Sequence, residues 1–298
     1  MNGIIVINKE KEYTSFDVVA VARKVLKEKK IGHTGTLDPN ATGVLVLLLG
    51  NATKAQDIIP NHDKEYIAEF KFGLKTDTLD IWGNVLEEKE SKVKTNEILA
   101  TLDDFRGKIM QTPPMYSSIV VNGRRLYDYA RKGEEVERVA REREIYKLEL
   151  LDFDEEKQEG TFIVNCSKGT YIRSLIDDIA NKLNTIGVMT NLNRIMACTY
   201  TIDNSISLSQ LKDLTEKGEI ENYILPTESL FYSYEEIVVS DAQAHRFKNG
   251  NPLSLDRLRG LDTIEDKKIY RVKDKDNNFI SLGIIDIDSQ MLKMYKHF

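Results

Sequence analysis

Residues 32–50 read GHTGTLDPNATGVLVLLLG, and the rest of the chain is placed by working outward from them. Three glycines, one proline and three threonines crowd into Gly32–Gly43. No helix or strand interior accommodates that density, so these residues are expected to form an ordered loop. Val44 to Leu49 then runs without a polar residue to Gly50, with the length and flanks of a strand buried on both faces. Pro39 fixes its own backbone and pushes Asp38 toward an extended conformation. One carboxylate, Asp38, and one imidazole, His33, are thereby presented stiffly against the core. A site needs such presentation; a plain Asp-Pro turn ahead of a strand would carry the same letters.

The chain has 298 residues, enough for a full core and a second, smaller unit. No apolar run approaches the roughly 20 residues that a bilayer-spanning helix needs. The start, MNGIIVIN, lacks a basic segment and a small-residue cleavage site, so no export signal is expected and a cytoplasmic location is. Cys166 and Cys198 lie far apart without ligand spacing and read as reduced, buried thiols. The four histidines include no i, i+4 pair, so no metal site is expected. No dinucleotide fingerprint or P-loop is present, and no cofactor is expected. No large exposed apolar face is indicated, which makes a monomer the default.

The net charge of −6 argues mildly against a polyanion partner. The cations are nevertheless clustered, in Arg23–Lys30 and most clearly in Arg124–Lys132, which reads RRLYDYARK. Basic residues interleaved with Tyr127 and Tyr129 on a protruding element suit RNA better than DNA. Solvated helix faces would also account for the charge.

The flanking chain supplies the remaining elements. Residues 3–8 read as a strand. Thr14 and Asp17 form a capping-box arrangement opening a helix with Val18, Ala22 and Val25 on its buried face and a cationic end at Lys27–Lys30. Residues 64–73 alternate, placing Tyr66, Ala68, Phe70 and Phe72 on one face of a strand. Residues 95–105 read as a helix with Ile98, Leu99, Leu102 and Phe105 apolar. QTPPMYSS (111–118) is extended, and Asn122-Gly123 signals a tight hairpin. Residues 161–167 form a core strand that turns at Gly169 into a helix, with Thr170 as N-cap. Arg173 falls in that helix's first turn, where its charge opposes the dipole; it is expected to answer a carboxylate or a phosphate. Residues 204–218 hold another amphipathic helix. From about Ile237 onward the pattern is one of short alternating strands, a small β-rich module.

Taken together, GHTGTLDP with Ala41-Thr42-Gly43 resembles the signature of the bacterial tRNA pseudouridine-55 synthase (TruB) family. Lys64-Glu65-Tyr66, Pro114-Met115-Tyr116-Ser117 with Gly123-Arg124-Arg125-Leu126-Tyr127, and Ser167 to Arg173 agree with it in order and spacing. The likeness covers about residues 3 to 200. Three positions depart from the family's pattern: Glu10 follows Lys9, Tyr13 precedes Thr14, and Val120 replaces a lysine.

The resemblance implies an α+β fold: a mixed, largely antiparallel central sheet flanked by helices, with a small C-terminal β module that looks PUA-like. It implies a catalytic domain over residues 1–232, with a mobile RNA-binding loop at about 120–145, and an RNA-binding domain over 233–298. The implied activity is isomerisation of uridine-55 in the TΨC loop of tRNA to pseudouridine, without metal or cofactor. Asp38 would be the essential carboxylate, Tyr66 would stack on the flipped base, and Arg173 would pair with Asp38. His33, Lys9, Lys64, Tyr171, Arg124 and Arg125 would bind the T-arm. A non-catalytic tRNA-binding chaperone on the same scaffold and a nucleoside hydrolase using Asp38 are the rival readings.

Overall fold

The strand predicted at Val44–Leu49 is the second of two paired apolar strands on which the fold is laid down. A computed structural model describes residues 1–258 and 264–298. In chain order, β1 (Gly3–Lys9) leads into α1 (Ser15–Leu26), then β2 (Ile31–His33), β3 (Thr42–Leu49) and β4 (Lys64–Phe72). A hairpin of β5 (Leu74–Thr76) and β6 (Val85–Glu88) precedes α2 (Thr95–Thr101) and β7 (Gly107–Gln111). A two-residue ribbon, β8 (Val120–Val121) with β9 (Arg124–Arg125), carries α3 (Leu126–Ala130). The long β10 (Arg141–Asp154) and β11 (Glu159–Cys166) follow, then α4 (Ile172–Lys182), β12 (Gly187–Ala197), β13 (Tyr200–Thr201) and α5 (Leu208–Lys217). The last segment holds β14 (Glu236–Val238), α6 (Asp241–Lys248), β15 (Leu253–Ser254), β16 (Ile269–Lys273), β17 (Phe279–Asp286) and β18 (Met291–Lys296).

The central sheet runs β1-β3-β12-β4-β11-β10-β7, with β2 on β3 and β13 on β12. Its pairings are antiparallel except the short parallel contact between β12 and β3, as the mixed, largely antiparallel reading expects. β3 is the hinge of the packing. Val44, Val46 and Leu48 point into one core with Phe231 and Tyr200, while Leu45, Leu47 and Leu49 point into another with α1 and α5. Each fully buried aliphatic side chain there contributes about 1.5–3 kcal/mol. On β4, Tyr66, Ala68, Phe70 and Phe72 are buried together against Leu175, Ile176 and Ile179 of α4, as the alternation predicts. A second sheet, β14-β16-β17-β18-β15, closes over its own core of Phe247, Tyr270, Val272 and Leu292.

Several expectations need correction. The loop predicted over 32–43 is shorter, because Gly32 and His33 pair with Leu48 and Leu47, and Thr42 and Gly43 belong to β3. Part of the glycine density answers to strand crossing. Gly43 has φ 105°, and a Cβ there would lie 2.2 Å from the Arg194 carbonyl oxygen of β12. Thr170 is not the cap of α4; Tyr171 holds that position, and Thr170 Oγ1 donates to the Ser167 carbonyl. α1 stops at Leu26 with Lys27 in the left-handed region, so the lysine run lies outside it. Leu99 of α2 is exposed. The helix α6, capped by a Ser240–Gln243 box, stands in a segment whose pattern predicts strands; only Ala244 and Phe247 give it a buried face.

Candidate active site

The loop between β2 and β3 is tied down from below by groups remote in sequence. Leu37 is buried in the core beside Tyr66, and its backbone exchanges hydrogen bonds with Ser15 Oγ, at 2.9 Å for its N–H and 3.1 Å for its carbonyl. Thr34 N–H donates to the Val46 carbonyl and Ala41 N–H to that of Asp38, both at 3.1 Å. Two fully buried cations grip the remaining carbonyls. Arg194 of β12 donates to Val44 at 2.7 Å, Thr36 at 3.2 Å and Gly35 at 3.1 Å. Lys9, at the end of β1, donates to the carbonyls of Glu10, Tyr13 and Pro39 at 2.9, 2.7 and 2.9 Å.

This geometry corrects the expectation for Lys9. Its ammonium has three donors and all three are spent on backbone carbonyls, so it positions the Asp38 loop rather than facing a substrate. Burial, opposed by the nearby Asp38 charge, pulls its pKa down to about 8.

Above this floor, the Asp38 side chain is 41% exposed, whereas its partner Arg173 is 7% exposed. The Nε of Arg173 stands 3.1 Å from Asp38 Oδ2. Its terminal nitrogens donate to the carbonyls of Thr78 at 2.8 Å and Tyr116 at 3.0 Å, and Asp80 Oδ2 lies 3.7 Å away. Arg173 therefore joins three chain segments at the first turn of α4, where two carboxylates offset its unfavourable place on the dipole. The pairing expected for Arg173 is present.

The other expected residues divide into near and far. Tyr66 lies beneath the loop, 6% exposed, beside Arg194; burial pushes its phenol up to about 12, so it is neutral at ordinary pH. His33 is half-buried on β2, and burial, reinforced by Arg194, lowers its pKa below the usual histidine range. Its Nδ1 is buried and meets no hydrogen-bond partner among the described residues. Lys64 Nζ donates to the His62 carbonyl at 2.8 Å, and its stem lies over Gly35. Tyr171 is held at the mouth of α4 by Gln111, whose amide accepts from its N–H at 2.8 Å and donates to its carbonyl at 3.0 Å. Burial raises its phenol.

Arg124 and Arg125 sit on the β8–β9 ribbon. Arg124 lies 4.2 Å over the Tyr129 ring and 3.4 Å from Glu134; Arg125 lies 5.8 Å from the Tyr127 centroid. The ribbon joins the site through the 111–118 segment, since Tyr127 N–H donates to the Ser117 carbonyl at 3.1 Å. Asn122 and Gly123, with φ 50° and 78°, make the tight turn that their sequence predicts. The expected loop at 120–145 is shorter: Arg141 and Arg143 belong to β10, and Arg143 Nε donates to the Gly169 carbonyl at 2.9 Å.

Sequence reasoning missed Arg194, Asp80 and Gln111. Arg194 left a signal: a lone cation on the buried face of NLNRIMA, which must find acceptors inside the protein. Asp80 stands in Thr76-Asp77-Thr78-Leu79-Asp80, letters that an ordinary polar turn also carries.

A family model described as TruB family pseudouridylate synthase (N terminal domain) matches residues 23–172. A second, described as tRNA pseudouridylate synthase B C-terminal domain, matches residues 173–232. The chain is 46% identical over 284 residues, 95% of each chain, to the tRNA pseudouridine synthase B of Clostridium tetani. It is 42% identical to that of Clostridium kluyveri, over 99% of this chain and all of the relative. Among solved structures, a chain of a Cbf5–Nop10–Gar1 complex superposes with a TM-score of 0.75 at 25% identity, over 99% of this chain and 84% of that one. A chain of an H/ACA ribonucleoprotein bound to a substrate RNA containing 2′-deoxyuridine gives 0.74 at 23% identity, over 99% and 84%; that likeness concerns the fold alone.

Proposed function

Because the chain belongs to the TruB family of pseudouridylate synthases, we propose that it isomerises a uridine of tRNA to pseudouridine with Asp38 as the catalytic carboxylate. The observation that carries the role of Asp38 is its pairing: a partly exposed carboxylate 3.1 Å from the Nε of a buried arginine, on a loop whose carbonyls two buried cations hold.

The reaction breaks the N1–C1′ bond, turns the base and joins C5 to C1′. The proton on C5 is lost and no electrons are exchanged. The base leaves its loop before it reacts, at a cost of a few kcal/mol that pocket contacts offset. Asp38 acts as nucleophile at C1′ or as base at C2′; either needs one carboxylate. Hydrolysis of a glycosidic bond ordinarily needs a second carboxylate to activate water. Asp80, the other carboxylate on Arg173, is occupied: its Oδ1 accepts from Thr78 Oγ1 at 2.7 Å and from Trp82 N–H at 3.2 Å, and its Oδ2 faces Arg173. Burial raises its pKa above the usual carboxylate range.

The finer reading is that the reacting nucleotide is uridine-55 of the T-arm, everted onto Tyr66, with His33, Lys64, Tyr171, Arg124 and Arg125 toward the RNA. The cationic ribbon residues Arg124 and Arg125, partly exposed beside the 111–118 segment, favour a polyanionic substrate. We place the enzyme in the cytoplasm as a monomer; its two cysteines are free and buried, and among the described residues no helix is long and apolar enough to cross a membrane. A division between catalytic and RNA-binding domains at 232/233 is favoured by the separate C-terminal sheet and core.

The test is an unmodified tRNA transcript carrying tritium at uridine C5. Release of tritium with the base retained in the RNA supports isomerisation. Free uracil would mean a hydrolase. Binding without tritium release would mean a chaperone.

A further inference from the structure

We propose that Trp82 is a stacking platform for a nucleobase of the RNA next to the one that reacts. The proposal rests on the RNA substrate argued above. An unbroken path links the indole's backbone to the site: Asp38 to Arg173 at 3.1 Å, Arg173 to Asp80 at 3.7 Å, and Trp82 N–H to the other oxygen of Asp80 at 3.2 Å. None of the chemistry above uses Trp82.

The turn that carries it is anchored at every side. Thr76 Oγ1 donates to the Asp80 carbonyl at 2.6 Å. Ile81 N–H donates to Met189 at 2.9 Å, and Met189 N–H returns the bond to Leu79 at 3.1 Å. Asp77 accepts from the Asn84 backbone at 2.8 Å and its side chain at 2.9 Å. Gly83 closes the turn so tightly that a Cβ would lie 2.3 Å from Thr78 Oγ1. On this fixed base Trp82 remains 44% exposed, with Ile81 at 39% and, on β6, Val85 at 56% and Leu86 at 64%. A nearly half-exposed indole held on an anchored turn is free to make a contact.

The backbone link of Trp82 to Asp80, the second carboxylate on Arg173, selects the occupant. Everting one nucleotide strips its neighbours of a stacking partner, and an indole face replaces that partner whatever the base. A protein partner or second copy would instead cover Ile81 through Leu86 as a unit.

Trp82 is the only tryptophan in the chain, so tryptophan emission reports it alone. The full-length Asp38→Asn protein is titrated with an unmodified T-arm stem-loop RNA. The expected result is quenched emission and reduced acrylamide access, with the quench abolished when one nucleotide beside the target uridine is made abasic. In the otherwise wild-type enzyme, Trp82→Ala is expected to raise KM about tenfold with little change in kcat, and Trp82→Phe to restore most of it. Unchanged emission at saturating RNA, a quench indifferent to every abasic position, or wild-type KM in Trp82→Ala overturns the proposal. So does quenching that follows protein concentration without RNA. A wild-type enzyme that releases no tritium would sink the proposed function; normal turnover with a silent Trp82 sinks only this inference.

Discussion

Arg173 meets Asp38 through Nε at 3.1 Å and spends its two terminal nitrogens on the carbonyls of Thr78 and Tyr116. The guanidinium thus fixes the carboxylate and, in the same act, the two segments that wall it. A lysine offers a single point charge with no planar fork.

Arg173→Lys is therefore expected to lower kcat by about 10- to 100-fold, the equivalent of one or two charge-assisted hydrogen bonds, while tRNA binding changes little. Steady-state tritium release checks the split. A proportional rise in KM at constant kcat would place Arg173 in binding instead.

Arg194→Lys is expected to act first on stability. Its three carbonyl partners are buried or part-buried, and a shorter ammonium cannot serve all of them. Leaving them unpaired costs about 3 kcal/mol, and the Asp38 loop loosens with them. Stability to urea and kcat should fall together, whereas Arg173→Lys should disturb kcat more than the melt.

Lys9 gives a pH signature. Its pKa is lowered from 10.5 to about 8 in the folded protein, chiefly by burial. Below pH 8 both folded and unfolded chains hold the proton, and the penalty for a buried charge is present in full. Between pH 8 and 10.5 the unfolded chain holds more protons, so stability rises with pH, by on the order of 3 kcal/mol across the window. Comparing denaturation midpoints of wild type and Lys9→Met across that range checks this. The variant should lose the upward slope.

Arg124→Ala with Arg125→Ala is expected to weaken RNA binding and flatten its salt dependence by one to two in the slope of log K against log salt, about 0.7–0.9 for each phosphate that is no longer neutralised. Binding isotherms at several salt concentrations measure it. An unchanged slope would leave the two arginines to their tyrosine rings, where Arg124 already lies 4.2 Å from the Tyr129 centroid.

Much of this arrangement is legible in the letters. The unbroken run Val44–Leu49, the alternation of Tyr66 to Phe72 and the Thr14–Asp17 box each express a local rule, and the structure holds all three. The meeting of Asp38 with Arg173 follows from resemblance rather than from periodicity. What stays hidden is long-range. Lys9 and Arg194 bind carbonyls, which every residue possesses, so no side-chain identity marks their partners. The ends of the Gly-rich loop are obscured for a related reason: Gly43 serves the close approach of β12, which enters far later in the chain. The helix α6 is too short, with two buried residues, to imprint a period.

The most direct measurement compares tritium release from C5-labelled uridine in an unmodified tRNA transcript by wild type and by Asp38→Asn, an isosteric change that removes the charge facing Arg173. The expected result is full release by wild type and none above background by the variant, with transcript binding within a few-fold of wild type. An Asp38→Asn enzyme that still converts the transcript would contradict the assignment of the reaction to Asp38.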